Sequence, residues 1–428
     1  MSARRVLFWT ETYQAGGSDR YLVDLAQGLD PERYVWAWAG NPCTALDDYL
    51  RERLAEALPR RLVPVASLRA PAIGRTVRRL RGPADPVEVD PTEDTTAPPG
   101  AGAVHEAVAG AMRAQQLAAN VLRLRCLVRE ARPDVVHVNN GGYPGAESCR
   151  ALSLAAAAEG VPAVHFVHNM AYGPSVPESL ELALDRRVDR AVTGWATAAN
   201  RASDRLAAVR AIPRHRIATV HYGIAAPEMP APAAAAELGF GPDALNLACV
   251  AAFEPRKGHR ILLEAVAAAC ARGLDVRLAL VGVGDELDGV RRRAGELGLG
   301  DRVRFLGWRA DVDAVLAAAD ALVLPSLSNE CLPYAILEAM GLGLPVIGTD
   351  VAGIPEEIDH GSTGIVVAPG DAPALSRAIA ELAERPEARA AMGEAAGARL
   401  LDAFGRQRMV EETVALWDQG LRRNTPSR

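Results

Sequence analysis

Two kinds of hydrophobic pattern alternate along the chain. Short, continuously apolar runs predict strands buried on both faces, and longer stretches with apolar residues every three or four positions predict the helices that cover them. In the first half RRVLFW, YVWAWAG, DVVHVN, PAVHFVH and IATVHYG predict strands, with helices over Ser18–Leu29, His105–Glu130 and Pro144–Glu159. In the second half LNLACVAAF, VRLALVG, VRFLG, ALVLP, PVIGT and GIVV predict strands. Helices are expected there over Gly258–Ala271, Glu286–Leu297, Val312–Ala318 and Tyr334–Gly341. The proline- and alanine-rich stretch Ala225–Ala244 separates the two series and suits a linker. The pattern therefore predicts an α/β chain of two Rossmann-like, doubly wound parallel-sheet domains, residues 1–224 and 245–404, facing across a cleft. Residues 405–428 are expected to form a helix that returns to the first domain. In such sheets ligands bind at the carboxyl ends of the strands.

Composition narrows the class. A length of 428 residues exceeds one ordinary core and suits two domains. With 47 basic and 53 acidic residues the net charge is −6, which argues against a nucleic-acid partner. No apolar run approaches the ~18 residues of a membrane span, and the amino end lacks the ~7–15 apolar residues of a secretory signal, so a cytoplasmic protein is expected. None of the six cysteines forms a Cys-x-x-Cys pair, which predicts neither a zinc site nor a disulfide framework. The stretch 70–102 breaks the rhythm. Arg75, Arg78, Arg79 and Arg81 precede Asp85, Glu88, Asp90, Glu93 and Asp94 among prolines, which predicts a mobile surface insertion. Its arginines leave an acceptor contact or a peripheral contact with a membrane surface open.

Lys257 is the single lysine; the other 46 basic residues are arginine. Where arginine serves everywhere else, one lysine marks a place that wants a compact ammonium on a flexible stem. A second concentration of chemistry lies in Leu324–Val367. A strand ends at Pro325, a polar turn carries Glu330, and Pro333 opens a helix that runs through Glu338. The amino end of that helix offers free N–H groups to an anion or a sugar oxygen. Glu338 sits among apolar residues and needs a ligand hydroxyl or a structural donor to satisfy it. Near the amino terminus, Gly16-Gly17-Ser18-Asp19 opens a helix, with glycine for close backbone approach and Ser18 or Asp19 as cap. His165 and His168 point to opposite faces of one strand and so cannot share a metal. His137 is read as structural. Asp311 and Asp313 are read as caps rather than metal ligands. Gly282-Val283-Gly284 is read as a strand-to-helix turn lining a nucleotide site.

The frame PS-x-x-x-E-x7-E-A-M, with seven residues between Glu330 and Glu338, resembles the signature of the retaining family 4 (group 1) glycosyltransferases with the GT-B fold. The resemblance continues through LGLPVIGTDVAGIPEEI, HGSTGIVVAPGD, ACVAAFEPRKGHRILLEAV and LALVGVGDELDGVRRRAGELGLGDRVRFLGW. It extends to TVHYGI, GGSDRYLVDLA, RPDVVHVN and VPAVHFVHNMA. It implies that Glu330 contacts donor-sugar hydroxyls and Glu338 the nucleotide ribose. It further implies that backbone amides of Cys331 and Leu332 hold diphosphate or sugar, that Lys257 neutralises the diphosphate, that Gly17 touches diphosphate and acceptor, and that His168 lies beside the sugar. The family's arginine a few residues before the lysine is absent; Ala251 and Ala252 stand there, and Arg256 is the nearest substitute.

The implied reaction moves a hexose-type sugar from a nucleoside diphosphate to an acceptor hydroxyl with retention. No metal or other cofactor is expected; the leaving phosphate takes the acceptor's proton. An epimerase or phosphorylase on the same fold, or a non-catalytic nucleotide-sugar-binding subunit, are the alternatives. A nicotinamide oxidoreductase is disfavoured, because no Gly-x-Gly-x-x-Gly follows the first strand.

Overall fold

A computed structural model of the chain describes residues 3–12, 16–54, 61–63, 103–174, 178–231, 233 and 235–424. The insertion read at 70–102 lies outside them. The first half runs β1 (Arg4–Thr10), α1 (Gly17–Gly28), β2 (Tyr34–Gly40), α2 (Thr44–Arg53), β3 (Arg61–Leu62) and α3 (Ala103–Ala131). It continues with β4 (Val135–Asn140), α4 (Glu147–Ala158), β5 (Ala163–Val167), α5 (Glu178–Ala191), β6 (Gly194–Thr197), α6 (Asn200–Arg210) and β7 (Ile217–Thr219). The second half runs α7 (Ala235–Leu238), β8 (Leu245–Val250), a 3-10 turn Pro255–Lys257, α8 (His259–Ala271), β9 (Val276–Val281), α9 (Leu287–Glu296) and β10 (Val303–Gly307). It ends with α10 (Val312–Ala317), β11 (Ala321–Leu324), α11 (Tyr334–Gly341), β12 (Val346–Thr349), α12 (Ile354–Glu357), β13 (Gly364–Val367), α13 (Ala372–Glu384), α14 (Pro386–Ala403) and α15 (Arg406–Asn424).

The first sheet has the order β3-β2-β1-β4-β5-β6-β7 and the second β10-β9-β8-β11-β12-β13. Every strand pair is parallel, so each sheet is covered on both faces by helices, and the strands read as unbroken apolar runs for that reason. Strand order reverses beside β1 in one sheet and beside β8 in the other. The loops after these strands are therefore free to build a site.

The structure adds elements that hydrophobic pattern does not announce. The sequence of β6 is only Gly-Trp-Ala-Thr, too short to show a period. Helix α5, ESLELALDRRVDRA, carries charges on most of its surface. The helix expected from Pro144 starts only at Glu147, because Ala146 takes a left-handed conformation (φ 55°) that interrupts helical hydrogen bonding. The strand expected through His168 ends at Val167. His168 thus stands just beyond the sheet, its amide bonded to the carbonyl of Asn140 at 2.9 Å.

The two domains are joined by more than the linker. Helix α15 crosses to the first domain, where Trp417 is buried against Phe8 and donates to Nδ1 of His137 at 3.2 Å. Thr413 meets the Tyr21 hydroxyl at 3.0 Å, and Arg406 holds Asp24 at 2.8 Å. The chain crosses between domains twice, side by side: Ile224 bridges to Gly405, and a Cβ at Gly223 would fall 2.5 Å from the Gly405 carbonyl. A third tie comes from α12. The Glu356 carboxylate accepts from the amides of Asn200 at 2.8 Å and Arg201 at 2.9 Å and from Nε2 of His221 at 3.2 Å. It thereby caps the amino end of α6 from the other domain.

Burial raises the Glu356 carboxyl, but the His221 bond and the two amides outweigh it and hold the group below its ordinary 4.5. A depressed carboxyl contributes stability that is complete above the ordinary value and lost as pH falls through the lowered one. Glu356→Ala should therefore cost about 1 kcal/mol at neutral pH, the usual worth of a cap. In thermal melts the gap to the parent should narrow as the pH drops below 4.5.

Candidate functional site

The catalytic candidates converge through a tight backbone contact. Gly258 has φ +70°, and a Cβ there would lie 2.0 Å from the carbonyl of Pro325. Only glycine lets the 3-10 turn of Pro255–Lys257 press against the end of β11. That contact sets Lys257 beside the loop carrying Glu330, and the two side chains form an ion pair, 12% and 7% exposed. Ser326 donates to the same oxygen of Glu330 at 2.7 Å. Arg256 faces the same way as its neighbour. Its Nη1 donates to the Asn329 carbonyl at 3.2 Å and reaches Glu330 at 3.5 Å, while its Nε donates to Glu254 at 2.6 Å. A 3-10 turn has three residues per turn, yet the long side chains of adjacent residues still meet at one carboxylate.

A cavity of about 380 Å³ between the domains is lined by Gly17, His168, Arg256, Lys257, Glu330, Cys331 and Leu332, together with the start of α11. Seven residues singled out from the sequence thus meet at one place. Pro333 precedes α11 as its cap residue, and Tyr334 and Ala335 bring the helix's amino end to the cavity wall. The Cys331 thiol is pushed up to about 12, first by burial, so its backbone rather than its sulfur is the useful group.

His168 is 3% exposed, and its Nδ1 lies 2.8 Å from the hydroxyl of Tyr222. Its Nε2 is buried with no hydrogen-bond partner. Burial, with His137 and His165 adding to it, drives the imidazole well below its ordinary value and keeps it neutral. His165 is held instead by Ser153 at 2.9 Å and Asn140 at 3.1 Å inside the sheet, and burial lowers it to about 3. Among the described residues no three His, Cys, Asp or Glu side chains gather as a metal site.

One expectation, the side-chain cap at Asp311, is corrected, and Glu338 and the Gly282–Gly284 turn take the following surroundings. Glu338 does not open on this cavity. It faces an adjoining one of about 650 Å³ with Tyr49, Trp308, Arg309 and Asp313 in its wall, and its carboxylate is already paired with Arg20 of α1. The donor it needs is therefore structural in this state. Burial pushes the Glu338 carboxyl up, with Arg20 opposing. Gly282 and Gly284 line neither cavity. Cβ atoms there would fall 2.0 Å from the Ala251 carbonyl and 2.4 Å from that of Phe253, so their glycines serve the packing of the β9 exit on the β8 exit. Asp311 precedes α10 as its cap residue, but its side chain makes no cap bond; it holds Arg309 at 2.6 Å instead.

Four residues escaped the sequence reading. Arg20 lies one turn into the helix that follows Gly16-Gly17. Its guanidinium sits 4.7 Å over the Tyr334 ring as well as on Glu338. Tyr222 and Tyr334 stack across the domain boundary at 4.8 Å and 13°. Glu357 is fully buried, and neither carboxylate oxygen has a hydrogen-bond partner. Only Arg20 carried a signal, its position beside the glycine pair.

The chain is similar in sequence and fold to known proteins. Residues 233–399 match the family described as "Glycosyl transferases group 1", and residues 52–226 match "Glycosyltransferase Family 4". The chain is 35% identical over 181 residues to the lipopolysaccharide core biosynthesis glycosyltransferase LpsE of Rhizobium meliloti, covering 42% of this chain and 52% of the relative. It is 34% identical over 281 residues to the D-inositol 3-phosphate glycosyltransferase of Streptomyces scabiei, covering 59% of this chain and 61% of the relative. The matches therefore span about half the length of these curated relatives. Among solved structures, HepE of Anabaena in complex with UDP shares the fold with a TM-score of 0.71 at 17% identity, over 97% of this chain and 99% of that one. A glycosyltransferase of Rickettsia africae does so with a TM-score of 0.76 at 16% identity, over 99% and 100%.

Glu357 yields a prediction opposite in sign to that for its neighbour Glu356. Burial, then Glu330 and Glu356, raises its carboxyl well above 4.5. The unfolded chain ionises above that value while the folded one cannot, so the group destabilises increasingly as pH rises. Glu357→Gln should raise the melting temperature at pH 8, and the gain should vanish near pH 4. A variant that melts lower than the parent at pH 8 would mean that the carboxylate is paired.

Proposed function

We propose that this chain, which belongs to the group 1 glycosyltransferases of the GT-B fold, transfers a hexose-type sugar from a nucleoside diphosphate to an acceptor hydroxyl, retaining the anomeric configuration and using no metal ion. One observation carries the reading: Lys257, Arg256, Glu330 and the amino end of α11 meet in a single interdomain cavity. A nucleotide sugar offers that cavity both an anion for the cations and hydroxyls for Glu330. Uridine nucleotides are the first donors to test, since HepE structures contain UDP and UDP-glucose.

In this reading the acceptor oxygen forms a bond to the anomeric carbon on the face from which the diphosphate departs. The bond from that carbon to the diphosphate oxygen breaks, and the acceptor's proton passes to the leaving phosphate. No enzyme nucleophile takes part. Lys257 and Arg256, with the amides of Cys331 and Leu332, stabilise the charge that gathers on the diphosphate, an electrostatic term set up before the reaction begins. Glu330 holds sugar hydroxyls. Glu338 holds the ribose once Arg20 gives way. Gly17, with no side chain, leaves room beside the diphosphate and acceptor. Closure of the domains keeps water from the donor.

The reading places the enzyme in the cytoplasm, where nucleotide sugars are made, with peripheral contact at the inner membrane face. Supporting that contact is a largely apolar cavity of about 830 Å³ between α3, α4 and α5, with exposed Arg187 and Arg190 beside it. Among the described residues no helix is long and apolar enough to cross a membrane.

The experiment is transfer and donor hydrolysis measured over a panel of nucleotide sugars in EDTA. Activity should persist without divalent ions, and Lys257→Ala should lower turnover ~10²–10³-fold, as loss of one preorganised stabiliser does. Activity abolished by EDTA and restored by magnesium would overturn the metal-free mechanism. Glu330→Ala should behave differently. It removes the carboxylate that occupies Lys257, so free UDP should bind at least as tightly by calorimetry while sugar transfer collapses.

A further inference from the structure

We infer that Tyr222 is a positioning residue that fixes the His168 ring with its proton on Nε2, so that the imidazole meets the donor sugar as a hydrogen-bond donor and not as a base. The inference rests on the transfer reading only for the identity of the ligand; the tautomer itself is a property of the protein alone.

The ring carries a single proton, since burial excludes the imidazolium. Where that proton sits depends on the other nitrogen's partner. Tyr222 is itself 3% exposed, and burial holds its phenol far above the ordinary value, so it too has one proton to give. Two acceptors compete for it. Nδ1 of His168 stands at 2.8 Å, an ordinary distance for a hydroxyl donor, whereas the carbonyl of His168 stands at 3.4 Å, at the outer limit. The phenol's proton is assigned to the nearer Nδ1; were Nδ1–H the donor instead, the phenol would turn to the carbonyl. A nitrogen that accepts carries no proton, which leaves Nε2–H as the donor. That atom is buried without a partner in the wall shared with Lys257 and Glu330. An unmade hydrogen bond in such a place is costly, and a sugar oxygen would satisfy it. A base is not called for, because the leaving phosphate takes the acceptor's proton.

The phenol is held from the other domain. Tyr334, the first residue of the helix that carries Glu338, stacks on Tyr222 at 4.8 Å and 13°, and Tyr222 in turn stacks on His168 at 5.6 Å and 27°. On its far side the His168 ring lies flat on Phe166 at 4.4 Å and 12°. The imidazole is thus clamped between rings in an orientation that a residue of the other domain completes.

The test uses the full chain labelled with 15N in its eight histidines. The His168 signals are assigned by their loss in His168→Gln, and the tautomer is read from the nitrogen shifts and two-bond proton couplings. Wild type should show Nε2 protonated and Nδ1 bare, and Tyr222→Phe should show a mixture of tautomers. In transfer assays Tyr222→Phe should lower kcat about 10-fold, the worth of one hydrogen bond, with KM for the nucleotide sugar and affinity for UDP nearly unchanged. His168→Gln, whose amide N–H falls near Nε2, should keep more turnover than His168→Asn or His168→Glu. Protonated Nδ1 in wild type overturns the inference whatever the activity, as does a Tyr222→Phe variant with tautomer and kcat both unaltered. A Tyr222-dependent Nε2–H in a protein that transfers no sugar upholds the positioning and removes the transfer reading instead.

Discussion

Lys257 and Glu330 neutralise one another in a cleft that leaves them 12% and 7% exposed. Removing either partner from such a pair leaves the other charge largely desolvated and unpaired, which costs more than the pair itself contributes. The same rule governs ligands. A free anion that drew Lys257 away would leave Glu330 with Ser326 and the more distant Arg256. A neutral sugar that occupied Glu330 would leave the ammonium unanswered. A sugar joined directly to a diphosphate serves both, because its hydroxyls and its charge are separated by one glycosidic oxygen. In the proposed reading the pair thus sets the shape of an acceptable ligand before any contact with a base is made.

What the sequence disclosed and what it hid follow from how each contact is encoded. Lys257, Glu330 and the cap before α11 are local: a loop, a turn and a helix start, each written in a few consecutive residues. Their convergence needs only the βαβ topology, which continuous Val, Leu and Ile runs make plain. Glu338 was legible as a buried carboxylate in want of a partner. Arg20 lies 318 positions away, and no local pattern names so distant a partner. Tyr222 and Tyr334 are hidden for the same reason. Gly282 and Gly284 were legible as a strand-to-helix turn, but the reason for glycine there was not. A Gly-x-Gly after a strand looks like a phosphate turn, yet here glycine is demanded by the backbone of residues 251–253 pressing on it.

Among helices the boundary between legible and hidden is one of burial. Tyr334–Gly341 is apolar along most of its length and its ends are marked by Pro333 and Gly343, so its limits are readable to the residue. The α5 sequence keeps a narrow buried stripe, with Asp185 and Val188 inward, beneath a surface of arginines and acids. Its inward aspartate is buried because Arg210 at 2.8 Å and the Tyr143 hydroxyl at 2.5 Å enclose it. A charged residue in the core looks, in sequence alone, like a charged residue on the surface.

Contacts that cross the domain boundary and contacts that build the site are made by the same residues or their immediate neighbours. Arg20 spans from α1 to Glu338 and the Tyr334 ring, Tyr334 clamps Tyr222, and Glu356 adjoins Glu357 while capping a helix of the opposite domain. Ile224 and Gly405 form the paired crossing about which the domains could turn. Parting the domains would break the Arg20–Glu338 pair and separate the two tyrosines, and bringing them together again restores the second without requiring the first. A ribose that takes Glu338 can replace Arg20 as the carboxylate's partner while Tyr334 returns to Tyr222. In the proposed transfer reading, ligand entry and assembly of the sugar pocket are one motion, since the helix proposed to receive the nucleoside also presses the ring proposed to orient His168.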